Sequence, residues 1–292
     1  MIEIIKDTLI DSIKLLPFLF ITYILMEYIE HKMGKKSKEI IKKSDKYGPL
    51  FGSILGIFPQ CGFSVSATNL YAARVITLGT LISVYLSTSD EMLPIFISES
   101  VSPIIILKII GTKLIIGIIA GFIIDLVIRL IKRKQTNPTG EDKEINQEDE
   151  IKDLCEEEHC HCNESGIIKS ALKHTLNIFL FIFIITLVIN GIIEIIGQEN
   201  LANVVSKNII LGPIVAGIIG LIPNCASSVV LTELFVENVI SMPILISGLC
   251  VNAGVGLLVL FKTNENKKEN LKIIGLLYAI GVISGLILEI II

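Results

Sequence analysis

The stretches "GIFPQCGFS", residues 56–64, and "GLIPNCASS", residues 220–228, interrupt apolar sequence in the same way. Sliding the chain along itself until Gly56 lies on Gly220 also brings Gly48, Pro49, Ile54, Pro59, Cys61, Ser64, Val65 and Thr68 onto identical residues without a gap. The register holds further on. "LKIIG" at 107–111 recurs at 271–275, Gly117 and Gly121 meet Gly281 and Gly285, Asp125 meets Glu289, and Glu30 meets Glu194. Ile and Leu match by chance in so apolar a chain, so the weight rests on Gly, Pro and Cys. The chain reads as a duplicated half.

With 52% of its 292 residues hydrophobic and a mean hydropathy of +0.73, the chain lies far above the apolar fraction of a soluble domain. It reads as an all-α, multi-pass protein of the cell membrane. Segments 9–28, 104–131, 176–196 and 271–292 reach the roughly 20 apolar residues that cross a hydrocarbon core. The first is expected to be a retained helix, because Glu3, Lys6 and Asp7 precede it and no small-residue cleavage site follows.

Lysine and arginine near span ends report the cytoplasmic side. Residues 31–46 carry seven lysines, "RLIKRK" follows the span that ends near Ile131, and residues 261–272 carry four lysines. These three stretches are assigned to the cytoplasm. "SESVS" at 98–102 and "GQENLANVVSKN" at 197–208 hold little positive charge and are assigned outside. On this map each half crosses an odd number of times, so the two copies run in opposite senses. That is the inverted-repeat plan of many secondary transporters, with a site near the midplane between interrupted helices. The expected organisation is a first transmembrane repeat at 1–131, an acidic cytosolic linker at 132–168 and a second repeat at 169–292.

Within a half, residues 47–99 must make one net crossing, which is too long for one helix. A re-entrant hairpin resolves this: 47–58 enters, 59–62 turns, and 63–73 returns to Arg74 on the cytoplasmic side. Residues 75–99 then cross once with a break at "STSDEMLP", 87–94. The second half repeats this from the other face, with the tip "PNCAS" at 223–227 and a break at "CVNAGVG", 250–256, where no proline marks it.

Irregular backbone is tolerated at membrane depth only where protein buries it or it lines a wet cavity. The candidate cargo-binding residues are therefore Gln60, Cys61 and Ser64 at one tip, Asn224 and Cys225 at the other, and Thr88, Asp90, Glu91 and Asn252 at the breaks. Thr68, Asn69, Ser228 and Thr232 line the returning arms; such residues also satisfy helix backbone without any further role. Asp90 and Glu91 are the sharpest feature, since ionisable groups near the bilayer centre are costly and mark ion paths or proton relays. Their counterparts are Gly254 and Val255, so the chemistry is asymmetric. Cys61, Asp90, Glu91 and Cys225 are the expected metal ligands, with a proton as candidate counter-ion. Asp125 and Arg129 can pair four residues apart, Lys108, Lys113 and Lys272 can snorkel to the interface, and His174 is placed at the interface.

The linker holds Cys155, His159, Cys160, His161 and Cys162 amid carboxylates, a ligand set for soft or borderline ions without the spacing of a closed zinc finger. It is expected to be mobile and to capture metal transiently. A reducing cytosol disfavours disulfides there. There is no P-loop, HExxH, dinucleotide fingerprint or nucleophile elbow, so neither an ATP-driven pump nor an enzyme is indicated. The basic 31–46 loop suits anionic lipid headgroups, not nucleic acid.

"FPQCGFS", "STSDEMLP", the Cys/His linker before "ALKHTLNIFLF", and "IPNCASS" together resemble the ten-transmembrane heavy-metal exporter family, whose members are labelled arsenic efflux proteins or manganese transporters. The resemblance covers essentially the whole chain, though this linker has fewer histidines than family linkers often do. It implies export of a metal or metalloid ion by alternating access: a divalent heavy metal, manganese or arsenite. No cofactor beyond that cargo is expected, and a homo-oligomer is compatible with the reading. Two alternatives stay open: a carrier of a small organic solute or anion, and a membrane-embedded enzyme.

Overall fold

The computed structural model describes residues 47–58, 61–89, 92–135 and 210–291 continuously, with short runs and single positions between 9 and 24 and between 172 and 188. All regular structure among the described residues is helical. The first half contributes α1 (Gly48–Gly56), α2 (Cys61–Ala72), α3 (Leu78–Ser87), α4 (Met92–Ser98) and α5 (Pro103–Gln135). The second contributes α6 (Leu211–Gly220), α7 (Cys225–Val236), α8 (Met242–Val251), α9 (Gly256–Thr263) and α10 (Lys267–Ile291).

The helices recur in pairs in the register that lays Gly56 on Gly220: α2 and α7, and α3 and α8, match at both ends, while α4 and α9, and α5 and α10, match at their starts. The local chemistry that sets those boundaries is duplicated as well. Thr77 caps α3 by accepting from Thr80 N at 3.1 Å, and Ser241, its counterpart, caps α8 by accepting from Ile244 N at 3.5 Å. Such hydroxyls satisfy amides that the first turn of a helix leaves open. Helices α2 and α7 end alike: Arg74 and Asn238 adopt left-handed φ of 58° and 60°. Val75 N then bonds back to Leu70 O, and Val239 N to Leu234 O, both at 2.8 Å.

Packing follows the same register. A Cβ at Gly117 would lie 3.0 Å from the Ser83 carbonyl oxygen, and one at Gly281 would lie 3.1 Å from that of Ser247. Glycine lets α5 close on α3, and α10 on α8, at a distance that few other residues permit, as small residues commonly do between helices in lipid. Each long helix then braces the start of its short partner. Asp125 accepts from Thr77 Oγ1 at 2.8 Å and from Gly79 N at 2.9 Å, and Glu289 accepts from Ser241 Oγ.

The Asp125 contacts correct the expectation of an Asp125–Arg129 pair: the carboxylate serves the N-terminus of α3, where the helix dipole favours it, and Arg129 acts on it through space. Lys113 corrects a second expectation. It does not snorkel; its side chain is fully buried, because its face of α5 packs inward instead of pointing at the interface.

Among the described residues three apolar segments are long enough to span a bilayer: Pro103–Ile131, Met242–Thr263 and Lys267–Ile291. Of their most apolar stretches 22%, 89% and 28% are buried, respectively, so α8–α9 is central while α5 and α10 present broad apolar faces outward. By contrast, the 9 residues of α1 and 12 of α2 span only about 14 and 18 Å at ~1.5 Å per residue, well short of a ~30 Å hydrocarbon core. The halves also grip each other reciprocally: α2 packs on α9, and α7, its counterpart, packs on α4.

Candidate functional site

Both central helix pairs, α3–α4 and α8–α9, are interrupted. In the second half, α8 stops at Val251 and α9 starts at Gly256, and no proline is needed for it. Gly254 takes a left-handed φ of 53°, which glycine adopts freely, and its N–H donates to Asn252 Oδ1 at 2.8 Å. The Asn252 oxygen, expected to assist cargo, thus ties its own turn. In the first half, α3 stops at Ser87 and α4 starts at Met92; Asp90 and Glu91 lie outside the described residues.

Around these interruptions the core is polar. Ser64, Thr68, Asn69, Ser87, Thr88 and Ser89 of the first half and Asn224, Ser227, Ser228, Thr232, Ser247 and Asn252 of the second are all buried. Most of the hydroxyls return to helix carbonyls: Thr88 Oγ1 to Val84 O at 2.7 Å, Thr232 Oγ1 to Ser228 O at 2.6 Å, Ser87 Oγ to Ser83 O at 2.6 Å. Thr68 does more. Its Oγ1 lies 2.7 Å from Ser64 O, 2.6 Å from Tyr85 Oη and 3.2 Å from Gly256 O, tying the arm of one hairpin to the break in the other half. The Asn69 amide, 1% exposed, has no hydrogen-bond partner for its nitrogen or its oxygen among the described residues.

Of the expected tip residues, Asn224 stands at the start of α7, where its side chain does not cap the helix. Cys225 follows it into one buried apolar cluster with Val65 of α2 and Val255 and Val259 beyond the break. The start of α7 therefore packs against α2 and the second break, while residues 59 and 60 of the first expected tip lie outside the described residues. Cys61 heads α2; its side chain, Gln60, and the linker ligands Cys155, His159, Cys160, His161 and Cys162 lie outside the described residues, as does His174. Among the described residues no three His, Cys, Asp or Glu side chains gather into a metal-binding group. A cavity between α1, α2 and α3, lined by residues such as Phe51, Leu55, Phe63 and Val84, is apolar and holds none of the expected site residues.

Three groups that the motif reading did not single out as site residues join the site. Lys113 Nζ donates to Thr88 O and, at 3.0 Å, to Leu249 O. Cys250 is fully buried in α8, directly after Leu249, whose carbonyl Lys113 reaches. Tyr85 is fully buried, with its hydroxyl on Thr68 and 3.3 Å from Gly256 O. Comparing the halves residue by residue would have exposed all three, because in the repeat register Tyr85 aligns with Leu249, Lys113 with Leu277 and Cys250 with Leu86.

At one end of the molecule, Arg74 grips Glu269 with two parallel bonds of 2.8 Å, Tyr71 donates to the same carboxylate, and the guanidinium lies 5.2 Å from the Tyr71 ring centre. The bond to Glu269 raises the Arg74 guanidinium further above its ordinary value, so the pair stays charged on that side at any physiological pH.

No curated protein and no solved structure matches the chain. A family model described as "Putative, 10TM heavy-metal exporter" matches residues 1–197, a span that takes in α1–α5, the break between α3 and α4, and the linker cysteines and histidines. Covering more than half of a chain whose described residues form only helices and include three membrane-length apolar segments, that match makes the protein a member of this membrane transporter family.

Proposed function

We propose that the protein exports a metal or metalloid ion by alternating access between two repeats of opposite orientation in the membrane. The family supports the class of cargo, and the helix-by-helix pairing of the two halves supports the duplication. Opposite orientation draws support from the Arg74–Glu269 pair: Arg74 ends the first hairpin, Glu269 lies in the lysine-rich 261–272 stretch, and positive charge assigns both to the cytoplasmic face. Hairpins α1–α2 and α6–α7, too short to cross, would then re-enter from opposite faces.

The observation that carries a transport site is the buried polar belt at the two interruptions, and within it the Asn69 amide. An unpaired buried amide costs about 1–3 kcal/mol by mutational measures, and such groups persist where water or a ligand completes them. In this reading Cys61 and Cys225 offer soft ligands, Asp90 and Glu91 with the amides of Gln60 and Asn224 offer hard ones, Ser64 and Thr88 complete the lining, and a proton moves against the cargo. The linker cysteines and histidines deliver metal from the cytosol.

The test is flux of Mn²⁺, Cd²⁺ and arsenite into proteoliposomes, with Asp90→Asn and Cys61→Ser assayed separately. Loss of flux in at least one variant is expected, and unchanged flux in both overturns this site. Cells expressing the protein are expected to hold less of the transported metal; greater accumulation reverses the direction.

A further inference from the structure

Lys113 lies ten residues into α5 from Pro103, about 15 Å along the axis at ~1.5 Å per residue, the middle of a ~30 Å hydrocarbon core. A lysine at that depth has no short route to the interface, and its side chain is fully buried. Its ammonium donates to two carbonyl oxygens from different halves. Thr88 is the C-cap that follows the last residue of α3, and Leu249 lies in the last turn of α8. Carbonyls at helix C-termini carry partial negative charge, and backbone carbonyls are ligands that hard cations accept. Two interrupted helices thus converge on a place suited to a cation, and a cation covalently attached to the protein fills it. The duplicated position holds Leu277, equally buried, so the fold does not require an ammonium here.

We propose that Lys113 is a tethered stand-in for the cargo: its ammonium occupies the carbonyl site of Thr88 and Leu249 in the unloaded carrier and leaves it when a divalent cation enters. This rests on the export reading and adds a competing group to that site. Like charges in a low-dielectric core repel too strongly to share two carbonyls, so entry of one requires withdrawal of the other. A four-carbon stem with rotatable donors suits such withdrawal better than a rigid guanidinium would. The unloaded carrier then keeps its polar carbonyls satisfied while it reorients, and bound metal must outcompete an intramolecular ligand, which favours release.

The test uses full-length protein, Cd²⁺ and Mn²⁺ as probes, and Lys113→Met, which keeps the length of the side chain and removes its charge. The variant is expected to bind Cd²⁺ or Mn²⁺ about ten-fold tighter, the removal of a competitor being read as a shifted association constant, while turnover in proteoliposomes falls. A merely structural lysine would move binding and turnover down together; equal or weaker binding by the folded variant overturns the proposal. A second measurement needs no variant: reductive methylation of Lys113 in the unmutated protein, read by mass spectrometry, is expected to rise when Cd²⁺ or Mn²⁺ is bound. Metal binding with unchanged labelling overturns the stand-in role alone. Binding of arsenite only, a neutral species near pH 7, also overturns it and leaves export standing. A wild-type protein that neither binds nor moves any of the three refutes the export reading and this inference with it.

Discussion

In the first half the residue that closes α2 is Arg74; in the second the residue in the same place, with the same left-handed φ, is Asn238. Asparagine is an ordinary choice there, since its short amide tolerates that conformation. Arginine is not, at a cost of about 1–2 kcal/mol for the handedness, and what offsets it is the doubly bonded carboxylate of Glu269. The other partners diverge too: Tyr71 corresponds to Phe235 and Glu269 to Ile105. One face of the molecule is closed by an ion pair. The other has the Phe96 and Phe235 rings 5.8 Å apart. The residues that set helix ends and close packing remained alike in both copies, whereas those that join the copies to each other differ. The scaffold is alike in the two halves and the junctions are not.

Equal packing in the two halves can be broken first, where the expected effect is largest. Gly117→Val and Gly281→Val each drive a branched side chain against a carbonyl about 3 Å away, and overpacking of this kind typically costs about 1–3 kcal/mol. Thermal melting in detergent should fall for both; a change confined to one half would show that the matched geometry is not matched in strain. Next comes the closed face. Glu269→Gln leaves a guanidinium that is 24% exposed without its counter-charge, a loss of about 1–2 kcal/mol for a charge-assisted pair, whereas Ile105→Gln on the other half should change melting little. The smallest effect belongs to the braces. Asp125→Ala, at a buried carboxylate holding two bonds, should cost about 1 kcal/mol, and Glu289→Ala, at an exposed bond, measurably less. Equal losses would mean that burial does not set the strength of these caps.

The pairing of helices was legible because glycine and proline are fixed by backbone demands that survive substitution elsewhere. Helix boundaries followed from it, and even the second break, which lacks a proline, stands where the register put it, with Gly254 supplying the turn. Lys113 was misread because the snorkelling rule considers nearness to a span end and not the direction in which a helix face points. Its depth of ten residues from Pro103, together with leucine at the duplicated position, was the signal that went unused. Charge alone assigned Arg74 and the 261–272 stretch to one side, but Glu269 as the partner of Arg74 was not legible: they are 195 residues apart in sequence, and only the packing of the two halves brings them together.

The ring pair of Phe96 and Phe235 has a practical consequence. It joins α4 of one half to α7 of the other, and the chain contains no tryptophan. A single indole introduced at Phe96 would therefore be the molecule's sole fluorophore of its kind, seated at a junction between the two halves. Its emission colour would follow hydration of that junction in real time, without a label and without any background to subtract.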